Sequence, residues 1–154
     1  MLKMTTKARG PKELAAKFQK AARHAPSAFE RSMQKALILI QNSVKRNLTG
    51  GHPLHVRSGR LRNSIQREMR KRGIHLEGAV GSNLIYAPIH EYGATIYAKG
   101  PAMIFKYKGN WYHVKKVVEP KRPYIEPAFT SNRERVNQMF GRDMSGLLQR
   151  EGLA

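Results

Sequence analysis

Between Phe29 and Leu48 the apolar side chains recur at three- and four-residue steps: Phe29, Met33, Ala36, Leu37, Ile40, Val44 and Leu48. That spacing puts one stripe on a helix of about twenty residues. Pro26-Ser27-Ala28-Phe29-Glu30 reads as its start, a capping box in which Ser27 accepts from an amide three residues on and Glu30 reaches back. Two glycines after Asn47-Leu48-Thr49 read as its stop. A shorter stripe of Leu14, Ala15, Phe18 and Ala22 predicts a helix over residues 11–24, opened by Pro11. Downstream the period changes. Leu61 and Ile65 stand four apart on a short helix after Ser58. A strand near 65–71 and another at 74–80, with Ile74, Leu76, Gly78 and Val80 alternating, flank a turn at Gly73. Tyr86 to Tyr92 reads as a helical turn closed by Gly93.

The next signal is a hairpin. Met103, Phe105 and Tyr107 alternate with Ala102, Ile104 and Lys106, Gly109-Asn110 is a two-residue turn, and Trp111 to Val118 returns. Pro120-Lys121-Arg122-Pro123 forces extended chain. A last helix is expected from Ser131, with Glu134 completing a second capping box and Val136, Met139, Phe140, Met144, Leu147 and Leu148 on it. The order gives an α+β fold: an antiparallel sheet with a long hairpin, packed by an N-terminal amphipathic helix and a C-terminal helix. Residues 1–25 are expected to form a basic N-terminal arm or helix, and 26–154 a single α+β domain.

Charge changes the picture most. The 154 residues carry 29 Lys and Arg against 10 Asp and Glu, a formal net charge of +19. Such an excess attracts polyanions or acidic protein surfaces. The first 25 residues hold Lys3, Lys7, Arg9, Lys12, Lys17, Lys20 and Arg23 against Glu13 alone. A second basic block runs Arg57, Arg60, Arg62, Arg67, Arg70, Lys71, Arg72 and could track phosphates. Tyr107, Trp111 and Tyr112 on the hairpin could stack bases; the plainer alternative is that these rings are core. No cysteine is present, which removes disulfides, thiolate nucleophiles and Cys-based zinc sites. No run approaches the ~20 apolar residues that span a bilayer, and the N-terminus lacks the apolar core of a signal peptide, so an intracellular protein is expected.

Catalytic constellations are hard to assemble from what remains. His90-Glu91 begins like a helical zinc motif, but Ala94 stands where the second histidine is needed. His52 and His55 lie three apart on a Gly/Pro loop without an evident third ligand. Acidic residues are too few and dispersed for two-metal chemistry. No enzyme activity and no cofactor are expected.

Three motifs in order carry a resemblance. Ser58-Gly59-Arg60-Leu61-Arg62-Asn63-Ser64-Ile65 resembles a "small-Gly-x-Leu-Arg-x-Ser-Ile" element, and Val80-Gly81-Ser82-Asn83-Leu84-Ile85-Tyr86-Ala87-Pro88-Ile89-His90-Glu91-Tyr92-Gly93 a "Val-Gly-x-Asn-x-x-Tyr-Ala-x-x-His-x-x-Gly" block. Pro120-Lys121-Arg122-Pro123-Tyr124-Ile125 is similar to "Pro-x-Arg-Pro-Phe-Leu", with Tyr124 and Ile125 as conservative departures. All three belong to the virion morphogenesis, tail-completion and neck protein family of tailed phages. The resemblance runs from about residue 27 to about 150 and leaves the basic first 25 residues outside it.

The resemblance implies a structural virion protein. It would be a neck or tail-completion component forming a homo-oligomeric ring, of six or twelve copies for example, that joins head to tail around the DNA channel. Its partners would be itself and the neighbouring connector, head-closure and tail proteins, with non-specific DNA contact and no membrane. It would sit in the virion at the head–tail joint, and in the host cytoplasm during assembly. The competing class is a basic nucleic-acid-binding protein. Interface candidates are Arg60, Leu61, Arg62, Tyr86, His90, Glu91, Tyr92, Gly93, Arg122, Pro123 and Tyr124. Tyr86 and Tyr92 flank a turn and can bury their rings. Arg122, stiffened by Pro120 and Pro123, is expected to meet Glu91 or a carbonyl of the 86–93 turn, within a subunit or across the ring.

Overall fold

The computed structural model describes residues 10–49 and 58–154; His52, His55, Arg57 and the first nine residues of the expected basic arm lie outside the described residues. The elements are helix α1 (Pro11–Asn47), helix α2 (Arg60–Asn63), strands β1 (Ile65–Arg72) and β2 (His75–Ser82), helix α3 (Ala87–Tyr92), strands β3 (Ala94–Tyr97), β4 (Met103–Tyr107), β5 (Asn110–Val114) and β6 (Lys116–Glu119), and helix α4 (Glu126–Arg150). The α+β class holds. The strands make three two-stranded ladders, β1–β2, β3–β6 and β4–β5, rather than one sheet.

Several local expectations are corrected. The two N-terminal helices are one, running through Pro26. Pro26 lacks the amide that would close a turn, yet Ala21 and Ala28 on either side of it, seven residues apart, are both buried, so one apolar face continues across it. Ser27 does not cap: its hydroxyl donates to the His24 carbonyl at 2.9 Å. Leu14, Phe18 and Ala22, expected to form the upstream stripe, are exposed. In the hairpin, Lys108 and Gly109 both take positive φ (49° and 88°), so the turn lies one residue earlier than Gly109-Asn110 and Tyr107 pairs with Asn110. The returning strand breaks at Lys115: β5 pairs with β4, whereas β6 pairs with β3, from Ala94 opposite Glu119 to Tyr97 opposite Lys116. Finally, α4 begins at Glu126 and not at Ser131. Other expectations hold: Gly73 turns β1 into β2, with φ 60°, although Ile74 beside it is exposed instead of alternating inward.

The described residues gather into two compact units. One holds residues 10–37, 69–78 and 133–154. In it α1 packs on β2 so closely that a Cβ on Gly78 would stand 2.8 Å from Met33 Sδ and 2.9 Å from Leu37 Cδ2. Phe29 meets Phe140 of α4, ring centroids 6.1 Å apart, so this end of the predicted stripe packs on a helix as well as on strands. Buried Ser32 donates to Asp143 at 2.6 Å and Lys35 approaches the same carboxylate at 2.9 Å. The Ser32 hydroxyl first, then Lys35, hold the Asp143 carboxyl below its ordinary range.

Leu37 is 6% exposed and pressed on Gly78. Leu37→Ala is expected to cost roughly 2–5 kcal/mol, because the glycine opposite cannot grow into the void. Urea denaturation of the two proteins checks this; an unchanged midpoint would remove Leu37 from the core.

The other unit holds residues 38–49, 58–68 and 79–132. Ile40, Val44, Leu48, Ile65, Ala87, Tyr124 and Ala128 are its buried apolar residues. Two amides position its elements. Gln41 Nε2 donates to the Ile65 carbonyl at 2.8 Å while its oxygen accepts from Arg67, fixing the root of β1 on α1. Asn132 of α4 donates to Ser43 of α1 at 3.0 Å.

Candidate functional site

The three motifs contribute differently to this second unit. In the first, Gly59 precedes α2 with φ 69°, the left-handed conformation that favours glycine. Ser64 and Ser82 share a hydrogen bond of 2.7 Å, tying the first motif to the start of the second. Arg62 Nε donates to Thr49 Oγ1 at 3.1 Å, Leu61 is half-buried, and Arg60 is exposed. Of the proposed phosphate-tracking block, Arg67 is engaged by Gln41 and Lys71 by Glu30, 2.6 Å away.

The second and third motifs close on one another. Helix α3 presents Glu91, which is 4% exposed. Its Oε2 accepts from the backbone amides of Tyr124 (2.8 Å) and Ile125 (3.0 Å), and its Oε1 from that of Glu126 (2.9 Å). Those amides lead into α4, where the helix lacks internal acceptors and carries its positive dipole end. Glu91 is therefore the cap of α4, supplied from 35 residues upstream. This explains why α4 begins early: its first turn needs no Ser131 box. The Arg122 amide donates to the His90 carbonyl at 2.8 Å, and the Tyr124 hydroxyl to the Ala87 carbonyl at 3.3 Å. Asn47 of α1 donates to the Tyr124 carbonyl at 2.9 Å.

The expected side-chain pair of Arg122 and Glu91 does not form. The segments meet as expected, but Glu91 is taken by amides, and the Arg122 guanidinium instead lies 3.6 Å from Glu119, three residues before it. Glu119 also stands 3.8 Å from His90 Nδ1, a buried nitrogen that makes no hydrogen bond. Tyr86 packs its ring edge-on to His90, at 5.9 Å between centroids. Tyr92 departs from expectation: it is 74% exposed, so only one of the two flanking tyrosines is shielded. Pro123 is half-buried beside Tyr124, which is fully buried. Sequence reasoning missed Glu119, Asn47 and Gln41. Glu119 was findable, as the acid nearest to Arg122 on its N-terminal side in a stretch otherwise poor in acids.

Burial, and next the charge of Glu91, push the Tyr124 hydroxyl up from 10.0 to about 12. The folded state thus holds this proton more tightly than the unfolded state. The resulting stability is fully present below pH 10 and is lost as pH rises through about 12. In an ultraviolet phenolate titration, one of the six tyrosines is expected to ionise near pH 12. Tyr124→Phe should remove that late step; if the late step persisted, it would belong to another ring.

This arrangement can lock a turn to a helix end; the described residues hold no group of three His, Asp or Glu placed to bind a metal. No helix among the described residues is long and apolar enough to cross a membrane. The expectation that the hairpin rings are core fails: Trp111 is 66% exposed, and Tyr107 and Tyr112 are also open to solvent.

A family model described as "Bacteriophage HK97-gp10, putative tail-component" matches residues 12–93, more than half of the chain. The match starts inside the basic segment that the resemblance left out, and covers α1 and the first two motifs. It ends at Gly93, so it includes Glu91 but not the amides that Glu91 caps. No curated protein and no solved structure matches the chain.

Proposed function

Because the chain belongs to the HK97-gp10-like family of phage tail components, we propose that it is a ring-forming neck or tail-completion protein, joining head to tail around the channel through which DNA passes. The observation that carries this reading is the family match over α1, the β1–β2 ribbon and the α3 motif. The site supports a structural role. Its buried carboxylate accepts from three backbone amides and so holds two segments of the chain together. On this reading the protein is not an enzyme. Its partners are further copies of itself and the adjoining connector, head-closure and tail proteins. The +19 charge suits a ring through which a polyanion moves.

The test is a phage in which the reading frame for this chain is interrupted. Unjoined heads and tails are expected to accumulate, and purified chain added to them should restore joined particles. Normal particles from the interrupted phage would overturn the assignment. Steeply salt-dependent duplex binding by a monomer, together with such normal particles, would favour the nucleic-acid-binding class.

A further inference from the structure

Among the described residues the β4–β5 hairpin pairs with no other strand, and its apolar residues are open on both faces. Ile104 (60% exposed) and Trp111 lie on one face; Phe105, Tyr107 and Tyr112 lie on the other. Phe105 and Tyr112 stack across the strands at 5.8 Å, which stiffens the finger without covering it. A lone two-stranded hairpin is marginal in water, and an uncovered apolar surface of this kind marks an interaction site.

Charge narrows the occupant. Residues 92–118 contain five lysines, Lys99, Lys106, Lys108, Lys115 and Lys116, and no Asp or Glu. An isologous contact between two such hairpins would set lysine against lysine. Most acids of the chain are already engaged within it. Of its ten acids, Glu13, Glu30, Glu119, Glu126 and Asp143 are paired with its own cations and Glu91 with its own amides. The exposed rings could stack on bases, but Ile104, and Ile96 and Val118 on the β3–β6 ladder, add aliphatic surface that base stacking would leave uncovered and an apolar protein groove would cover.

We propose that the β4–β5 hairpin is a docking finger for a different virion protein, whose receiving surface is an apolar groove rimmed by carboxylates. The inference rests on the chain being a virion component. Trp111, exposed near the tip, is replaced by the photo-crosslinking residue benzoylphenylalanine, and purified particles are irradiated and analysed by peptide mass spectrometry. The expected adduct joins position 111 to an Asp- or Glu-bearing peptide of another virion protein. Adducts to a second copy of this chain, adducts to DNA, or no adduct in particles that contain the chain would each overturn the docking finger alone. Absence of the chain from particles would overturn the virion reading with it. As a second measurement, Ile104→Ser should lower the yield of joined particles at least tenfold while leaving the melting temperature of the purified chain unchanged; an undiminished yield overturns the proposal.

Discussion

Replacing Glu91 with Ala is expected to lower the stability of the protein by about 3–5 kcal/mol. The substitution removes the acceptor of three amides at once, those of Tyr124, Ile125 and Glu126. A charge-assisted hydrogen bond contributes about 1.5–3 kcal/mol, and the three are not additive because they share one carboxylate. A buried amide left unpaired adds its desolvation cost. With total stabilities of about 5–15 kcal/mol usual for a domain, this single change spends a large part of the margin. Glu91→Gln separates charge from shape. Its amide oxygen can still accept on one side, but the NH2 group would face a backbone N–H on the other. It should therefore recover less than half of the loss. Urea denaturation followed by circular dichroism checks both, and hydrogen exchange should show the first turn of α4 opening before the rest. If Glu91→Ala unfolds at the wild-type midpoint, the capping role is wrong.

That contact also shows where sequence reading stops. Periodicity found the long stripe of α1, the β1–β2 ribbon, the hairpin and the turn closed by Gly93, because each signal is local and repeats within a few residues. It misplaced the start of α4 because the residue that caps the helix is Glu91, far upstream, and capping patterns are read only from neighbours. It divided α1 at Pro26 because proline costs about 3 kcal/mol in a helix interior. The buried Ala21 and Ala28 show the packing that offsets this cost, and alanine carries too weak a hydrophobic signal to reveal it. The motif pair was brought together correctly, and Arg122 reaches a carbonyl of the turn, that of His90, but through its backbone amide and not its guanidinium. Opposite charges suggested Arg122 with Glu91, whereas the competition of three amides for that carboxylate left Arg122 to Glu119.

Gly93→Val is expected to be as damaging, at about 3 kcal/mol or more, for a different reason. Gly93 has φ 73° and ψ 163°, a backbone region open almost only to glycine, and it must hold that conformation to end α3 through its amide, 2.8 Å from the Ile89 carbonyl. Conformation alone would cost a side chain about 1–3 kcal/mol. Space adds to this. A Cβ at position 93 would stand 2.9 Å from the Lys121 nitrogen and 3.1 Å from the Glu119 oxygen, both backbone atoms with no rotamer to move aside. Relief would have to come from shifting the chain at 119–121, which carries the first pair of the β3–β6 ladder, Ala94 with Glu119, and leads directly to Arg122. Gly109 provides the control. It also has positive φ, 88°, but nothing lies within 4 Å of its Cβ position, so Gly109→Ala should show the conformational cost alone, about 1 kcal/mol. Thermal melts of the two variants beside the parent measure the difference. Equal losses at the two glycines would mean that the backbone of residues 119–121 yields freely, and that the lock between α3 and the Pro120–Tyr124 segment is soft.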